Sequence, residues 1–205
     1  MDLKVESIFK DVKEIYPSIL KHQVPLSIFN NIKQCIKRTD EIRKHELHSL
    51  LEHHNFGNNS YQVSVPFDLI EGSFFHAYII YLGEWYRCTY ERISLHETRR
   101  TVRLRKSDNH FDSYDCWVNY VEKGDMNKMH NHGGNLSGVI YYTDCEDSPI
   151  HFENGFSYKA KERDVLIFPS NLFHGVDKHE NEKSRITLAF NLYYNMVMVK
   201  TNVIP

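Results

Sequence analysis

Three histidines set the chemical question. His130 and His132 stand one residue apart in "MHNHGG", residues 129–134, and the stretch that follows to Tyr142 alternates like a strand. Imidazole is the commonest metal ligand among side chains. Side chains at i and i+2 of a strand point to one face, so two imidazoles there can chelate one ion without bending the backbone. Alone, His-x-His is a weak signal, because two histidines beside a turn need do nothing. A third ligand must come from elsewhere in the chain. His174, in "FPSNLFHGV", follows the strongly apolar run Val165–Pro169 and would start the next strand at the same end of a barrel.

Downstream lies a second chemical feature. In "RITLAFN", Arg185, Thr187, Ala189 and Asn191 alternate against Ile186, Leu188 and Phe190. If the first face lines a barrel interior, Arg185 is a buried cation. A buried unpaired charge is costly, so it calls for an anionic partner. A carboxylate held bidentately satisfies a guanidinium, and Thr187 can donate a further hydrogen bond. The competing readings are a structural salt bridge with a local Glu or Asp, or an exposed edge strand.

The chain has thirteen histidines, and most of them carry no pattern. "HELHSLLEHH" places His45, His48, His53 and His54 on an expected helix, but a zincin helix needs its two histidines four positions apart (i, i+4), and His45 and His48 are only three apart. That reads as a solvated helix face. His22, His76, His96, His110 and His179 read as surface or core residues.

The elements that must position these groups follow from pattern. The 205 residues suit one domain, 1–205, with a sizeable core. The net charge of −2 makes no global case for nucleic acid or membrane. No apolar run approaches the roughly 20 residues of a membrane span, and the N-terminus lacks a signal-peptide core. Cys35, Cys88, Cys116 and Cys145 are widely spaced, which fits a reducing, cytoplasmic location (the host cytoplasm if phage-encoded).

Residues 1–98 read as a mainly helical support. Val5, Ile8, Phe9 and Val12 form one helical face. "YPSILKHQVP" reads as extended, and Pro25 opens a helix with Phe29, Ile32 and Ile36 inward. Thr39 or Asp40 caps another, with Leu47, Leu50 and Leu51 inward. "NFGNNS" is a turn and "YQVSV" a strand. A buried helix follows, with Phe75, Ile79, Leu82 and Tyr86 at helical spacing. Residues 99–205 read as a β-rich domain. "TVRLRK", "DCWVNYV", "LSGVIYYT", "PIHFE", "FSYKA", "DVLIFP", "FHGV" and "RITLAFNLYY" are short β-rich runs separated by turn signals at 122–125, 133–134, 147–149, 154–155 and 177–178. Many short strands at such spacing argue a sandwich, barrel or jelly roll.

With these residues assembled, the chain resembles the iron(II)/2-oxoglutarate-dependent dioxygenases. Their shared pattern is His-x-Asp/Glu, a distal His, then Arg-x-Ser/Thr ten or more residues on. Here it reads His130-x-His132, His174, and Arg185-x-Thr187 eleven residues later. Over residues 115–192 the blocks "WVN", "HNH", "SGVIY", "FPSNLFH" and "RITLAFN" are similar to a small bacterial and phage branch of 2-oxoglutarate oxygenases. The resemblance implies an α+β, mainly β fold: a double-stranded β-helix, a cupin-like jelly roll with N-terminal helices packed on one side. It implies Fe(II) held by His130, His132 and His174, with 2-oxoglutarate as cosubstrate. Arg185 would pair with the distal carboxylate, assisted by Thr187 and Tyr141, and Asn119 would face the same pocket. The implied activity is hydroxylation of a substrate with O2, releasing succinate and CO2.

One departure stands out. The superfamily places a carboxylate at position 132, completing a triad of two His and one carboxylate. The narrow branch has His-x-His, and a nearby Asp125 or Glu153 is the alternative third ligand. Two rivals follow: a three-His cupin-type dioxygenase that uses no 2-oxoglutarate, and a non-catalytic jelly-roll binding protein. The substrate is open between a small molecule and a peptide, with nucleic acid less favoured, and a homodimer is compatible with the sequence. "ETRRTVRLRK" places Arg99, Thr101, Arg103 and Arg105 on one face, and reads better as a solvated edge strand than as a binding strip.

Overall fold

The computed structural model describes residues 11–45, 51–52, 60–91, 102–105 and 113–194. Two strands open it, β1 (Lys13–Tyr16) and β2 (Ile19–Gln23), followed by helix α1 (Leu26–His45). Then come β3 (Leu51–Glu52), β4 (Tyr61–Pro66) and helix α2 (Phe74–Tyr90). The remaining strands are β5 (Ser113–Val121), β6 (Asn127–His130), β7 (Leu136–Tyr141), β8 (Cys145–Phe152), β9 (Ser157–Ala160), β10 (Asp164–Pro169), β11 (His174–Val176) and β12 (Arg185–Leu192).

From β5 onward the chain crosses repeatedly between two sheets. The larger runs β1-β2-β10-β7-β12-β5-β4-β3, and the smaller runs β6-β11-β8-β9. Thus β5, β7, β10 and β12 face β6, β8, β9 and β11, wound as a double-stranded β-helix. The expected jelly roll with helices on one side is the observed architecture.

Strand alternation explains the layers. On β12, Leu188, Phe190 and Leu192 pack toward the helices with Phe29, Ile32, Phe75, Ile79 and Leu82. Ala189 packs instead between the sheets, with Val139, Tyr141, Ile150, Phe152 and Phe168. A period of two sends successive side chains to opposite faces, so one strand builds both cores. Phe190 is seated against Gly138 of β7, where an added Cβ would lie 2.1 Å from the ring. Gly138→Ala is therefore expected to lower stability by about 1–3 kcal/mol through overpacking, read as a lower urea midpoint with an unchanged slope.

The helices form where expected. Pro25 precedes the first helical residue, and Phe29 N–H donates to its carbonyl at 2.9 Å. Ser73 caps α2, its Oγ accepting from His76 N–H at 3.0 Å. Two expectations are corrected. Thr39 starts no new helix: it sits within α1, where its Oγ1 donates to Cys35 O at 2.9 Å and the helix runs through. Leu51 is in strand β3, not on a helix. Val5, Ile8, Phe9, Leu47 and Leu50, and the turn at 55–59, lie outside the described residues.

Two further differences concern strands. The turn expected at 147–149 is part of β8, whose register with β9 slips between Cys145 and Ile150. A slip of this kind accommodates a proline that cannot donate to the ladder. In "TVRLRK" the described residues make one bridge, Arg103 to Tyr193. The alternation still holds, with Val102 and Leu104 buried and Arg103 and Arg105 outward. Beyond the helices expected there, residues before 98 also extend the larger sheet at both edges, through β1–β2 and β3–β4. Among the described residues, no helix is long and apolar enough to cross a membrane.

Candidate metal and cosubstrate site

His130 and His174 face each other directly. They are register partners across β6 and β11, with ring centroids 4.6 Å apart. His132 lies two residues beyond, past the end of β6 rather than on it, and its ring is 4.8 Å from His130 and 5.2 Å from His174. One ligand atom from each of the three lies within 4.8 Å of the others. Among the described residues no carboxylate joins this cluster. Asp125 instead accepts from Ser60 Oγ at 2.8 Å, and Glu153 from Phe173 N–H at 3.2 Å.

The rings are prepared as neutral donors. Burial lowers the pKa of all three below the usual histidine value, and mutual repulsion adds to the effect at His132 and His174. His132 is brought to about 3 and His174 to about 4. His130 Nδ1–H donates to Lys128 O at 2.7 Å and His174 Nδ1–H to Leu172 O at 3.0 Å. Each bond fixes a tautomer that leaves Nε2 as the free lone pair. Neutral, converging imidazoles are what a divalent transition metal requires.

Arg185, Thr187 and Asn119 line the same cavity as the three histidines, a space of about 250 Å³ between the two sheets. Thr187 on β12 sits between Asn119 on β5 and Tyr141 on β7 in register. Arg185 is 3 % exposed, Thr187 1 %, Asn119 7 % and Tyr141 0 %. The Arg185 guanidinium lies 5.4 Å from the Tyr141 ring centroid. No carboxylate pairs with it among the described residues, and its Nε, the Tyr141 hydroxyl and the Asn119 Oδ1 are buried without a hydrogen-bond partner. Native interiors rarely leave such groups unpaired. Asn119 Nδ2 donates to Thr187 Oγ1 at 3.2 Å, so the threonine hydroxyl hydrogen is left to point elsewhere. β12 lies between β7 and β5, so it is not an edge strand, and among the described residues Arg185 makes no salt bridge.

All seven residues singled out in the sequence thus converge, the three histidines around one point and the other four along one sheet face. Several neighbours were not singled out. Ser137 Oγ donates to Asn191 Oδ1 at 2.7 Å and lies 2.9 Å from Ser170 Oγ. Their inward parity with Tyr141 and Arg185 was the available signal. Asn127 lines the cavity too, with an unpartnered Oδ1. The irregular register of β6 with β11 hides it from a simple count back from His130. The remaining described histidines behave as bystanders. His22 bonds Tyr78 at 2.7 Å, and His179 bonds Ser148 and Lys183 O.

Comparison with known proteins agrees. Residues 145–191, which include His174 and Arg185, match a family model described as "Putative 2OG-Fe(II) oxygenase". The chain resembles the 2-oxoglutarate/iron(II) oxygenases. A prolyl-4-hydroxylase from Pseudomonas putida superposes at TM-score 0.54 and 10 % identity, over 93 % of this chain and 96 % of its own. HygX from Streptomyces hygroscopicus, solved with nickel, 2-oxoglutarate and hygromycin B, superposes at 0.51 and 14 %, over 96 % and 88 %. The α-ketoglutarate-dependent carbocyclase SnoK of nogalamycin biosynthesis gives 0.57 and 9 %, over 95 % and 84 %. At these identities the likeness establishes the fold. No curated protein matches the chain. The family match over residues 145–191 and the shared fold both point to the 2-oxoglutarate/iron(II) oxygenases as what this chain is similar to.

Proposed function

We propose that this protein is an Fe(II)- and 2-oxoglutarate-dependent hydroxylase. The observation that carries the reading is Arg185: a buried guanidinium with no carboxylate partner among the described residues, in the cavity lined by three neutral histidines. A dianionic cosubstrate answers both features at once. Its distal carboxylate would pair with Arg185 and accept from Tyr141 Oη and Thr187 Oγ1. His130, His132 and His174 would hold iron, the first and last through Nε2. When bound, iron(II) and 2-oxoglutarate supply the activation of O2 and the electrons that reduce it, leaving succinate and CO2. The residues of this chain bind, orient and exclude water. A set of neutral imidazoles leaves iron one unit more positive than a set with a carboxylate, so metal retention should lean more heavily on the cosubstrate's charge.

The structural relatives include a prolyl-4-hydroxylase and HygX, which was solved with hygromycin B bound. The fold therefore leaves a peptide and a small molecule both open as substrate. The test is succinate formation from 2-oxoglutarate in the presence of Fe(II), first uncoupled and then with candidate substrates. The reading stands if turnover needs both cofactors. It falls if iron binds but 2-oxoglutarate is neither bound nor consumed, which is the behaviour of a cupin-type dioxygenase, or if no metal binds, as in a non-catalytic module.

Tyr141→Phe separates the cosubstrate role from a packing role. It deletes a buried hydroxyl that has no partner, so thermal stability should be unchanged or slightly raised. Affinity for 2-oxoglutarate should fall about 10- to 100-fold, the range expected for a hydrogen bond to a charged group. A titration beside a melting curve reads both.

A further inference from the structure

His132 is held differently from the other two histidines. His130 ends β6 and His174 opens β11, and each ring is fixed through Nδ1. His132 stands in the loop 131–135, and no hydrogen bond holds its ring among the described residues, which pack it beside Trp117 at 5.2 Å between centroids. Where that imidazole points is therefore set by the loop backbone.

Three main-chain bonds fix the loop's ends. His132 N–H donates to Ser170 O at 2.9 Å, Asn135 N–H to Leu192 O at 2.9 Å, and Ser170 N–H to Asn135 O at 3.1 Å. Between them lie Gly133 and Gly134. Gly134 has φ +132, a conformation open to glycine, and an added Cβ there would meet the Tyr193 ring at 3.4 Å. So the Tyr193 ring closes this span from one side. Its hydroxyl reaches the Gly133 carbonyl at 3.0 Å and the Asp115 carboxylate more closely still. The ring in turn is anchored: Arg105 lies 4.6 Å from its centroid, and its backbone exchanges two 2.9 Å bonds with Arg103.

We infer that Tyr193 is a positioning residue for His132: its one O–H, shared between Asp115 and Gly133, ties the ligand-bearing loop to strand β5. The inference rests on the metal-site reading for its consequence, not for its geometry. Two ligands ride on paired strands, and the third depends on this tie. Side chains that orient metal ligands from behind typically govern affinity 10- to 100-fold.

The test uses Tyr193→Phe, which keeps the ring and removes the tie, with Asp115→Asn as a second variant that keeps the shape and weakens the acceptor. In metal-free protein, amide exchange at His132 and Asn135 should quicken about tenfold in Tyr193→Phe, with β7 amides unchanged. Cobalt(II) titration should show about tenfold weaker binding and an altered visible spectrum, with Asp115→Asn intermediate. If wild type and Tyr193→Phe exchange alike and bind cobalt alike, the inference is overturned while the metal site stands. If wild type takes no cobalt but the loop still loosens in Tyr193→Phe, the metal reading is overturned and the tie is upheld.

Discussion

Replacing Arg185 with methionine is expected to weaken 2-oxoglutarate binding by about 100- to 1000-fold while making the metal-free protein more stable. The two effects have opposite signs for one reason. In the free protein the guanidinium is buried on β12 with Nε unpartnered and, among the described residues, no carboxylate paired with it. Removing such a cation and filling its place with an apolar chain relieves an unpaid desolvation cost, for about 1 kcal/mol. For a chain of this size that raises the melting temperature by about 2–4 °C. With cosubstrate bound, the same guanidinium becomes half of a buried ion pair. Truncating one partner of such a pair costs about 2–5 kcal/mol. A structural arginine behaves otherwise, since its loss would destabilise the fold and leave ligand affinity secondary. Thermal melts and a binding titration on one variant distinguish the two.

The second large effect is at the metal. Alanine at His130, His132 or His174 should each weaken divalent-metal binding by about a hundredfold, taking structural four-ligand sites at about 10–16 kcal/mol and each ligand as a share of that. His132 is the informative member. It lies off the strand that holds its neighbour. If His132→Ala kept wild-type affinity while the other two lost it, the site would be a pair of histidines, and position 132 would be a bystander. Metal content after desalting, with competition titration, reads the outcome.

How much of this was legible beforehand depends on which forces set each element. The alternation of β12 was plain because its two faces are buried against different things: leucine and phenylalanine meet helices, while arginine, threonine and asparagine meet a cavity. The two helices announced themselves through Phe29, Ile32 and Ile36 and through Phe75, Ile79 and Leu82. The end of α1 did not. Thr39 has the composition of a cap, yet its hydroxyl is satisfied by the carbonyl one turn back, so the helix continues. Pro149 looked like a turn because its missing N–H is incompatible with a regular ladder, but a register slip absorbs it. Strands β1 and β3 have four and two residues, too few for periodicity to speak; their place is decided by tertiary pairing. At the site, the three histidines were visible by type and spacing. Asn127 was not, since its inward direction follows from an irregularity in β6, and Tyr193 was not, since its role lies in a loop contact 60 residues away.

Anaerobic titration of 2-oxoglutarate into the iron(II)-loaded protein shows whether the histidine-held metal and Arg185 take up the cosubstrate together. Chelation of iron by the keto acid produces a visible charge-transfer band, so the reading does not require the substrate to be known. The band is expected to appear and saturate in wild type, to need a far higher 2-oxoglutarate concentration in Arg185→Met, and to be absent in His174→Ala. A wild-type protein that binds iron and develops no band at saturating 2-oxoglutarate would contradict that joint uptake.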